Sequence, residues 1–313
     1  MAYTFGDIIL DDHFNIFVTG NAAGTGDNSV ANLNTVWGTG NSDKGYGQTG
    51  TVLSAVSAGA TITATEWATM LTRMQTIADH QGSSITPIAG PTVGNTISAF
   101  TALDSNITTT FNNRLNNVAN GTDATNTQDG TGSWTVSTTH TLTVTFGSVN
   151  QTRYFFNAGG EIRFSFARSG GTAHTKNTEW TDLCNDSGTI IFGARSTTAT
   201  GQSGANNILL TSTGYYDITT GDTIIWKKFQ DTSPYTANFI QIEAKTDGAG
   251  GANNGNGTIL TFTVTYADAA TPDDFDDTVD GTITTTLVER PPSTTFITQT
   301  WGNPGFGGVN VQT

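Results

Sequence analysis

The chain has 313 residues, 12 lysines and arginines, a formal net charge of −14 and one cysteine. A chain this acidic lacks the basic patches that bind phosphate backbones, which argues against nucleic acid as a partner. A single cysteine excludes an intrachain disulfide, so stability must come from core burial or from oligomerisation. The sequence has no run of 18 apolar residues, and we therefore expect no transmembrane helix and no insertion into a membrane.

Residues 1–120 carry helical signals and are interpreted as an anchoring and assembly domain. Two short helices are predicted in its first part. Thr63 to Glu66 is a capping box, in which the threonine hydroxyl accepts from the glutamate backbone and the carboxylate reaches back. Apolar residues then recur every three or four positions until Gly82, so the sequence predicts a helix over about 64–81.

A further helix is predicted over about 95–119, where apolar residues form one narrow stripe. The threonines and asparagines around it are unfavourable for a helix, so the stripe needs a partner. That partner is either the 64–81 helix of the same chain or the same helix of other copies, in a trimeric bundle. The candidate assembly stripe consists of Ile97, Phe100, Leu103, Ile107, Phe111, Leu115 and Val118.

Beyond residue 120 the apolar pattern changes to a period of two, which is typical of strands. Residues 121–132 have no periodicity and are interpreted as a linker. Alternating strands with Gly and Asn turns predict an antiparallel β-sandwich or jelly-roll over 133–290, followed by an extended C-terminal arm over 291–313. The expected fold class is mainly β with an α-helical N-terminal part. The predicted strands are Trp134–Val136, Leu142–Phe146, Ile162–Ala167, Ile224–Trp226, Phe239–Ala244, Leu260–Tyr266 and Thr282–Val288, with a short helix at Thr178–Asn185.

An acidic run before the last predicted strand is the sharpest charge feature of the chain. Ca²⁺ prefers carboxylates grouped in a flexible loop, but Leu287 stands where an EF-hand loop starting at Asp276 would need its glutamate. The run is interpreted as a surface turn, with a low-affinity Ca²⁺ site or a contact to a basic partner as alternatives. Its carboxylates are Asp273, Asp274, Asp276, Asp277 and Asp280. No other cofactor is expected.

Aromatic and asparagine side chains in or near predicted loops are the candidate contact residues. Aromatic faces can stack on sugar rings and asparagines can bind sugar hydroxyls, whereas the alternative is that the rings cap the sandwich core. The candidates are Trp180, Tyr215, Tyr216, Tyr235, Asn253 and Asn254. Histidines are scattered and glutamates are few, so no metal set or carboxylate pair is evident and we do not expect an enzyme.

Three parts of the sequence resemble virion structural proteins of tailed phages, especially marine and cyanobacterial phages, which are often described as tail-fibre-like. They are Val36–Gly40 continuing to Lys44–Gln48, then Ile62–Trp67, and finally Arg153–Arg163. The resemblance spans most of the chain, but its motifs are structural and imply no site residues. No basic and apolar leader follows Met1, so we expect a protein that assembles into virions in the host cytoplasm and is released by lysis.

The resemblance implies a virion component, and within the virion we expect a homo-oligomeric tail fibre or a tail or baseplate appendage. The N-terminal part would attach to other tail proteins, and the β domain would contact a glycan or protein on the host surface. A trimer is favoured, because fibres commonly bury narrow stripes between three chains. The alternatives are an architectural neck, collar or head-decoration protein without receptor contact and, third, a glycan depolymerase.

Overall fold

The computed structural model describes residues 10–39, 42–90, 100–118, 123–205, 207–248, 255–270, 278–307 and 310–312. The chain divides into two units. The helical unit comprises Met1–Gly121, Arg153–Gly159 and Pro292–Gly302, and the sheet unit comprises Thr122–Thr152, Gly160–Pro291 and Asn303–Thr313. Across the described residues, no helix combines the length and the apolar character needed to cross a membrane.

The helical unit begins with two short helices and then forms the long helix that the sequence predicts. Its helices are α1 (Asp11–Thr19), α2 (Leu33–Trp37), α3 (Ala64–Gln81) and α4 (Phe100–Asn112), with one 3₁₀ turn at Thr49–Thr51. The capping box of α3 is confirmed, since the Thr63 hydroxyl accepts from the Glu66 N–H (3.2 Å) and the Thr63 N–H donates to the Glu66 carboxylate (2.7 Å). The helix ends at Gly82, whose φ of 68° is a left-handed conformation that glycine adopts without strain.

The core of the helical unit lies between the apolar faces of these helices. The Trp67 ring of α3 meets the Phe100 ring of α4 edge to face, with centroids 5.6 Å apart. Phe17 of α1 lies on the same cluster, 5.8 Å from Phe100 between ring centroids. Other buried members from α3 and α4 are Met70, Leu71, Met74, Ile77, Leu103 and Ile107. Burial of this amphipathic face is what stabilises helices whose intrinsic propensity is low.

This packing corrects the expected assembly role of the stripe. Three members of the stripe are buried in the core of their own chain, namely Phe100, Leu103 and Ile107, and Phe111 is partly buried against the same core. Of the two partners considered, the intramolecular one is therefore observed. The helix ends at Asn112, so Leu115 and Val118 lie beyond it, and Ile97 lies outside the described residues. The argument for a trimer from an unpartnered stripe no longer applies, and trimerisation stays a prediction.

The sheet unit contains two antiparallel sheets. Sheet I has the strand order β1–β10–β3–β4–β5, and sheet II has β11–β2–β9–β8–β7–β6 with β12 also paired to β2. The strands are β1 (Ala124–Thr131), β2 (Ser137–Thr145), β3 (Glu161–Ser169), β4 (Thr189–Phe192), β5 (Thr197–Thr200), β6 (Asn207–Leu209), β7 (Thr223–Phe229), β8 (Phe239–Thr246), β9 (Ile259–Ala267), β10 (Thr282–Arg290), β11 (Gly305–Phe306) and β12 (Asn310–Gln312). Helix α6 (Thr175–Asp186) also belongs to this unit, whereas helix α5 (Val149–Asn157) lies mostly in the Arg153–Gly159 segment of the helical unit.

Side chains of the two sheets meet face to face in a sandwich-like arrangement. The Phe164 ring of β3 meets the Phe262 ring of β9 edge to face, with centroids 4.9 Å apart. The Phe166 ring of β3 meets the Tyr266 ring of β9 in the same edge-to-face way, with centroids 6.1 Å apart. Six of the seven predicted strands fall on observed ones. The exception is Trp134–Val136, where Trp134 forms only an isolated bridge to Val279. The period-two pattern therefore located the inner faces correctly.

The expected linker over 121–132 is wrong, because it contains strand β1. This strand pairs with β10 from Ala124 opposite Glu289 to Thr131 opposite Thr282. It is an edge strand of sheet I and is rich in polar residues, so its sequence lacks the apolar alternation that marks the other strands. Backbone pairing with β10, which a sequence pattern does not show, specifies it.

The expected C-terminal arm over 291–313 is also wrong. Its first part belongs to the helical unit, where Ile297 is buried in the core. There the Gln48 side chain exchanges two hydrogen bonds with the Thr298 backbone, at 2.7 and 3.1 Å. Its last part contributes β11 and β12, which pair with β2 in sheet II. The segment is therefore an integral part of both folded units.

Candidate functional site

The four aromatic candidate contact residues are buried in the sheet unit. The exposed fractions of Trp180, Tyr215, Tyr216 and Tyr235 are 1%, 1%, 1% and 6%. The Tyr215 hydroxyl donates to the Gly257 carbonyl (2.9 Å), and its ring lies 4.9 Å from that of Tyr216. Rings this buried present no face to a ligand, so the proposal that they form a contact surface is wrong. The alternative that they pack into the core is the one observed.

The acidic run and the asparagine loop fall largely outside the described residues. The candidate residues that lie outside the described part of the chain are Asn253, Asn254, Asp273, Asp274, Asp276 and Asp277. Asp280 is described, and its carboxylate accepts from the Thr172 hydroxyl (2.7 Å), the Thr172 N–H (2.9 Å), the Asn177 amide and Arg168. These hydrogen bonds, those of Thr172 above all, lower the pKa of Asp280 to about 2.

Asp280 therefore links the loop after β3 to the start of α6 through these hydrogen bonds. Its oxygens accept from protein donors, which is a different use from metal ligation. Among the described residues, no group of three or more His, Cys, Asp or Glu side chains is placed to hold a metal ion. The Ca²⁺ site stays a prediction, since four of its five expected ligands are not described.

A cavity of about 380 Å³ in the helical unit is lined mainly by uncharged polar residues, among them Asn28, Asn32 and Asn34. The Asn34 side chain exchanges hydrogen bonds with the Leu53 backbone at 2.8 and 3.0 Å. The oxygens of Asn28 and Asn32 accept from the hydroxyl and the N–H of Thr35. These amides use their hydrogen bonds to hold neighbouring loops in place, so we assign the cavity no ligand.

The outward side of sheet II carries a regular array of threonines, which we call the threonine face. It consists of opposite pairs on β2 and β9: Thr139–Thr265, Thr141–Thr263 and Thr143–Thr261. Along each strand these partly exposed side chains alternate with buried ones. Sheet geometry places neighbouring threonines about 4.8 Å apart across strands and about 6.8 Å apart along a strand.

The threonine face continues onto the next strand with polar side chains. Gln241, Glu243 and Lys245 of β8 lie opposite Thr265, Thr263 and Thr261. Each threonine presents a hydroxyl, which both donates and accepts, beside a methyl group. The alternating threonines of β2 and β9 are visible in the sequence. Their arrangement as a face depends on the register of the two strands, which the sequence analysis did not predict.

A buried polar chain joins the two sheets in the interior of the sheet unit. The His140 Nδ1 atom lies 2.8 Å from the Thr285 hydroxyl, which lies 2.6 Å from the Tyr266 hydroxyl. Burial lowers the pKa of His140 to about 4, so this histidine is neutral near pH 7. All three side chains are fully buried. The hydrogen bonds between them therefore align the two sheets, and His140 cannot reach a substrate as a general base.

Glu289 is a buried carboxyl group on the inward side of β10. It is 1% exposed, and burial raises its pKa to about 7. Its Oε1 atom has no hydrogen-bond partner among the described residues. Its neighbours across the sheet are Ala124 and Ile162, which provide no charge. Desolvation therefore keeps this group protonated up to about pH 7, well above the range of an exposed glutamate.

A second buried ionisable pair lies where α6 meets the end of β9. The Lys176 Nζ atom and the Asp268 Oδ2 atom are 2.7 Å apart, and the two side chains are 2% and 1% exposed. Sequence reasoning missed this pair, because 92 residues separate its members and neither lies in a recognisable motif.

No protein-family model, no curated protein and no solved structure matches the chain.

Proposed function

We propose that this protein is a structural component of a tailed-phage virion, in a tail fibre or a tail or baseplate appendage. In this proposal the helical unit attaches to other tail proteins, and the threonine face binds a polysaccharide of the host surface. The observation that carries the contact role is the register of β2 with β9, which sets three threonine pairs side by side without a charge among them. The sequence resemblance supports the virion assignment.

A polysaccharide suits this face because both partners repeat. A sugar polymer offers hydroxyl groups at regular intervals, and the face offers hydroxyl groups on a regular grid. One such hydrogen bond adds only about 0.5–1.5 kcal/mol net. Useful affinity therefore needs many of them on one chain and several chains in one particle, which a homo-oligomeric virion component would supply.

The experiment removes two hydroxyls from the centre of the face without changing its shape. The variant Thr141→Val with Thr263→Val keeps the β-branched outline and the strand preference. Binding of the purified protein to extracted host-surface polysaccharide is expected to weaken about tenfold, because two hydrogen bonds are lost. The measurement is a pull-down or biolayer titration against polysaccharides from candidate hosts.

A matched control lies on the other sheet of the same unit. Thr284 and Thr286 of β10 also alternate with buried residues on the outward side of their strand, and their replacement by valine should leave binding unchanged. Equal loss in both double variants would contradict the role of the threonine face. Binding of the wild-type protein to a host-surface protein and to no polysaccharide would contradict the choice of ligand.

A further inference from the structure

The Lys176–Asp268 pair brings an amine and a carboxyl group together in the interior of the sheet unit, where both side chains are buried. Their 2.7 Å contact places the lysine nitrogen beside the carboxyl carbon that carries Oδ2. The second oxygen, Oδ1, is buried and has no hydrogen-bond partner among the described residues. This carboxyl group is therefore less well solvated than the carboxylates at the surface.

Aromatic rings pack against one another near the pair. Trp180 follows Lys176 by one helical turn and so lies on the same side of α6. Tyr266 is a buried residue near the end of β9, two positions before Asp268. The Trp180 ring lies 6.5 Å from that of Tyr266 and 5.5 Å from that of Trp134. Low polarity disfavours two charges relative to a neutral amine and a neutral acid.

The backbone on the aspartate side is fixed by hydrogen bonds. The Asp268 N–H donates to the Val136 carbonyl (2.7 Å). The next two N–H groups, of Ala269 and Ala270, both donate to the Asn238 side-chain oxygen at 2.8 Å. These hydrogen bonds fix the backbone position of Asp268 directly after β9, so its carboxyl group stays within reach of Lys176.

The lysine side is fixed in a similar way by the start of α6. His174 caps the helix by accepting from the Asn177 N–H (3.3 Å), and the Asn177 amide donates to the Thr172 carbonyl (2.9 Å). Two reactive groups held in contact by a rigid frame can have effective molarities of about 10⁵–10⁸ M.

We propose that Lys176 and Asp268 condense to an intramolecular amide cross-link once the sheet unit has folded. A proton first moves from the lysine ammonium to the carboxylate, which leaves a neutral amine and a neutral acid. The amine lone pair attacks the Asp268 carboxyl carbon and forms the C–N bond. The C–O bond then breaks, and the hydroxyl leaves with a proton from the nitrogen as water. One ammonium and one carboxylate become one amide and one water, so atoms and charge balance without another reactant.

Such a bond would give the sheet unit a covalent closure that its single cysteine cannot provide. It would link positions that are 92 residues apart in the sequence. The inference depends only on the geometry of the pair and is independent of the proposed role in a virion.

The test is mass spectrometry of the purified full-length protein. The intact denatured mass should be lower than the sequence mass by one water molecule, after allowance for removal of Met1. A tryptic digest should contain one branched peptide that joins the segments around Lys176 and Asp268, with no cleavage after Lys176. A folded protein of full sequence mass, with both residues in linear peptides, would overturn the proposal. So would a water loss confined to a linear peptide, as in an aspartyl succinimide.

The chain provides its own chemical control. Lys245 and Asp222 form an ion pair of 3.0 Å whose side chains are 39% and 47% exposed, so hydration should keep this pair uncondensed. In Lys176→Arg the charge remains but the guanidinium is a poor nucleophile, and the full sequence mass is expected. In Asp268→Asn, condensation would expel ammonia and give the same product mass as the cross-linked wild type. Retention of the water loss in Lys176→Arg would overturn the assignment to this pair.

Discussion

Replacing Glu289 with glutamine should stabilise the sheet unit at high pH and leave it nearly unchanged at low pH. The wild-type carboxyl group is buried without a partner for Oε1 among the described residues, so its ionisation in the folded state is costly. Glutamine has the same shape and never ionises. Because only the glutamate has to ionise in a buried position, the stabilising effect of the substitution should grow as pH rises.

The size of the effect follows from the two pKa values of Glu289. Burial raises its pKa from 4.5 to about 7. At 1.36 kcal/mol for each pH unit, this difference amounts to about 3 kcal/mol. The folded state holds its proton more tightly than the unfolded state does. The stabilisation of the folded state by this bound proton is thus fully present below pH 4.5 and is lost as pH rises to 7. The stability gain of Glu289→Gln should grow by about 3 kcal/mol across that window.

Urea unfolding of both proteins at several pH values between 4 and 8 measures this gain. Taking the difference between variant and wild type cancels the other titrating groups, including His140, whose pH dependence has the opposite sign. Glu161→Gln serves as the control, since Glu161 lies on the neighbouring strand β3 but is partly exposed and pairs with Arg163 at 2.6 Å. Parallel stability profiles for wild type and Glu289→Gln would refute the reasoning.

Three further predictions concern stability. Thr63→Ala removes the N-cap of α3 and should cost about 1 kcal/mol in thermal or urea unfolding, whereas Thr69→Ala on the exposed side of the same helix should not destabilise; equal losses would contradict the capping role. Ile297→Ala should cost about 2–5 kcal/mol because it leaves a cavity in the helical core, and a loss below about 0.5 kcal/mol would restore the interpretation as a free arm. The depressed pKa of His140, about 4 against 6.5, should cost wild type about 3 kcal/mol as pH falls through that range; His140→Gln should lack this loss, and an identical acid profile would contradict it.

The parts of the fold that the sequence predicted are those with short-range determinants. The capping box and the apolar spacing of α3 are both contained within about five turns, and the observed helix has the predicted bounds within one residue. The strands with a clear alternation, such as β9 and β10, bury every second residue. In each case a local pattern and the final packing agree.

The parts that the sequence missed depend on distant partners. Helix α5 contains three consecutive buried aromatic residues, Tyr154, Phe155 and Phe156, which obscure a helical period. Strand β1 is polar and is specified by pairing with β10. The candidate site shows the same limit, since the threonine face depends on a register and the Lys176–Asp268 pair on a contact across 92 residues. The aromatic candidates failed because proximity to a predicted loop does not determine burial.

The most direct test of the proposed function is immunogold electron microscopy of intact particles from cells that produce this protein. An antibody against residues 133–290 would mark the sheet unit. The proposal predicts label on tail fibres, on the baseplate or at the tail tip, where the threonine face could reach a host surface. Label on the head or neck, or no label on any particle, would contradict it.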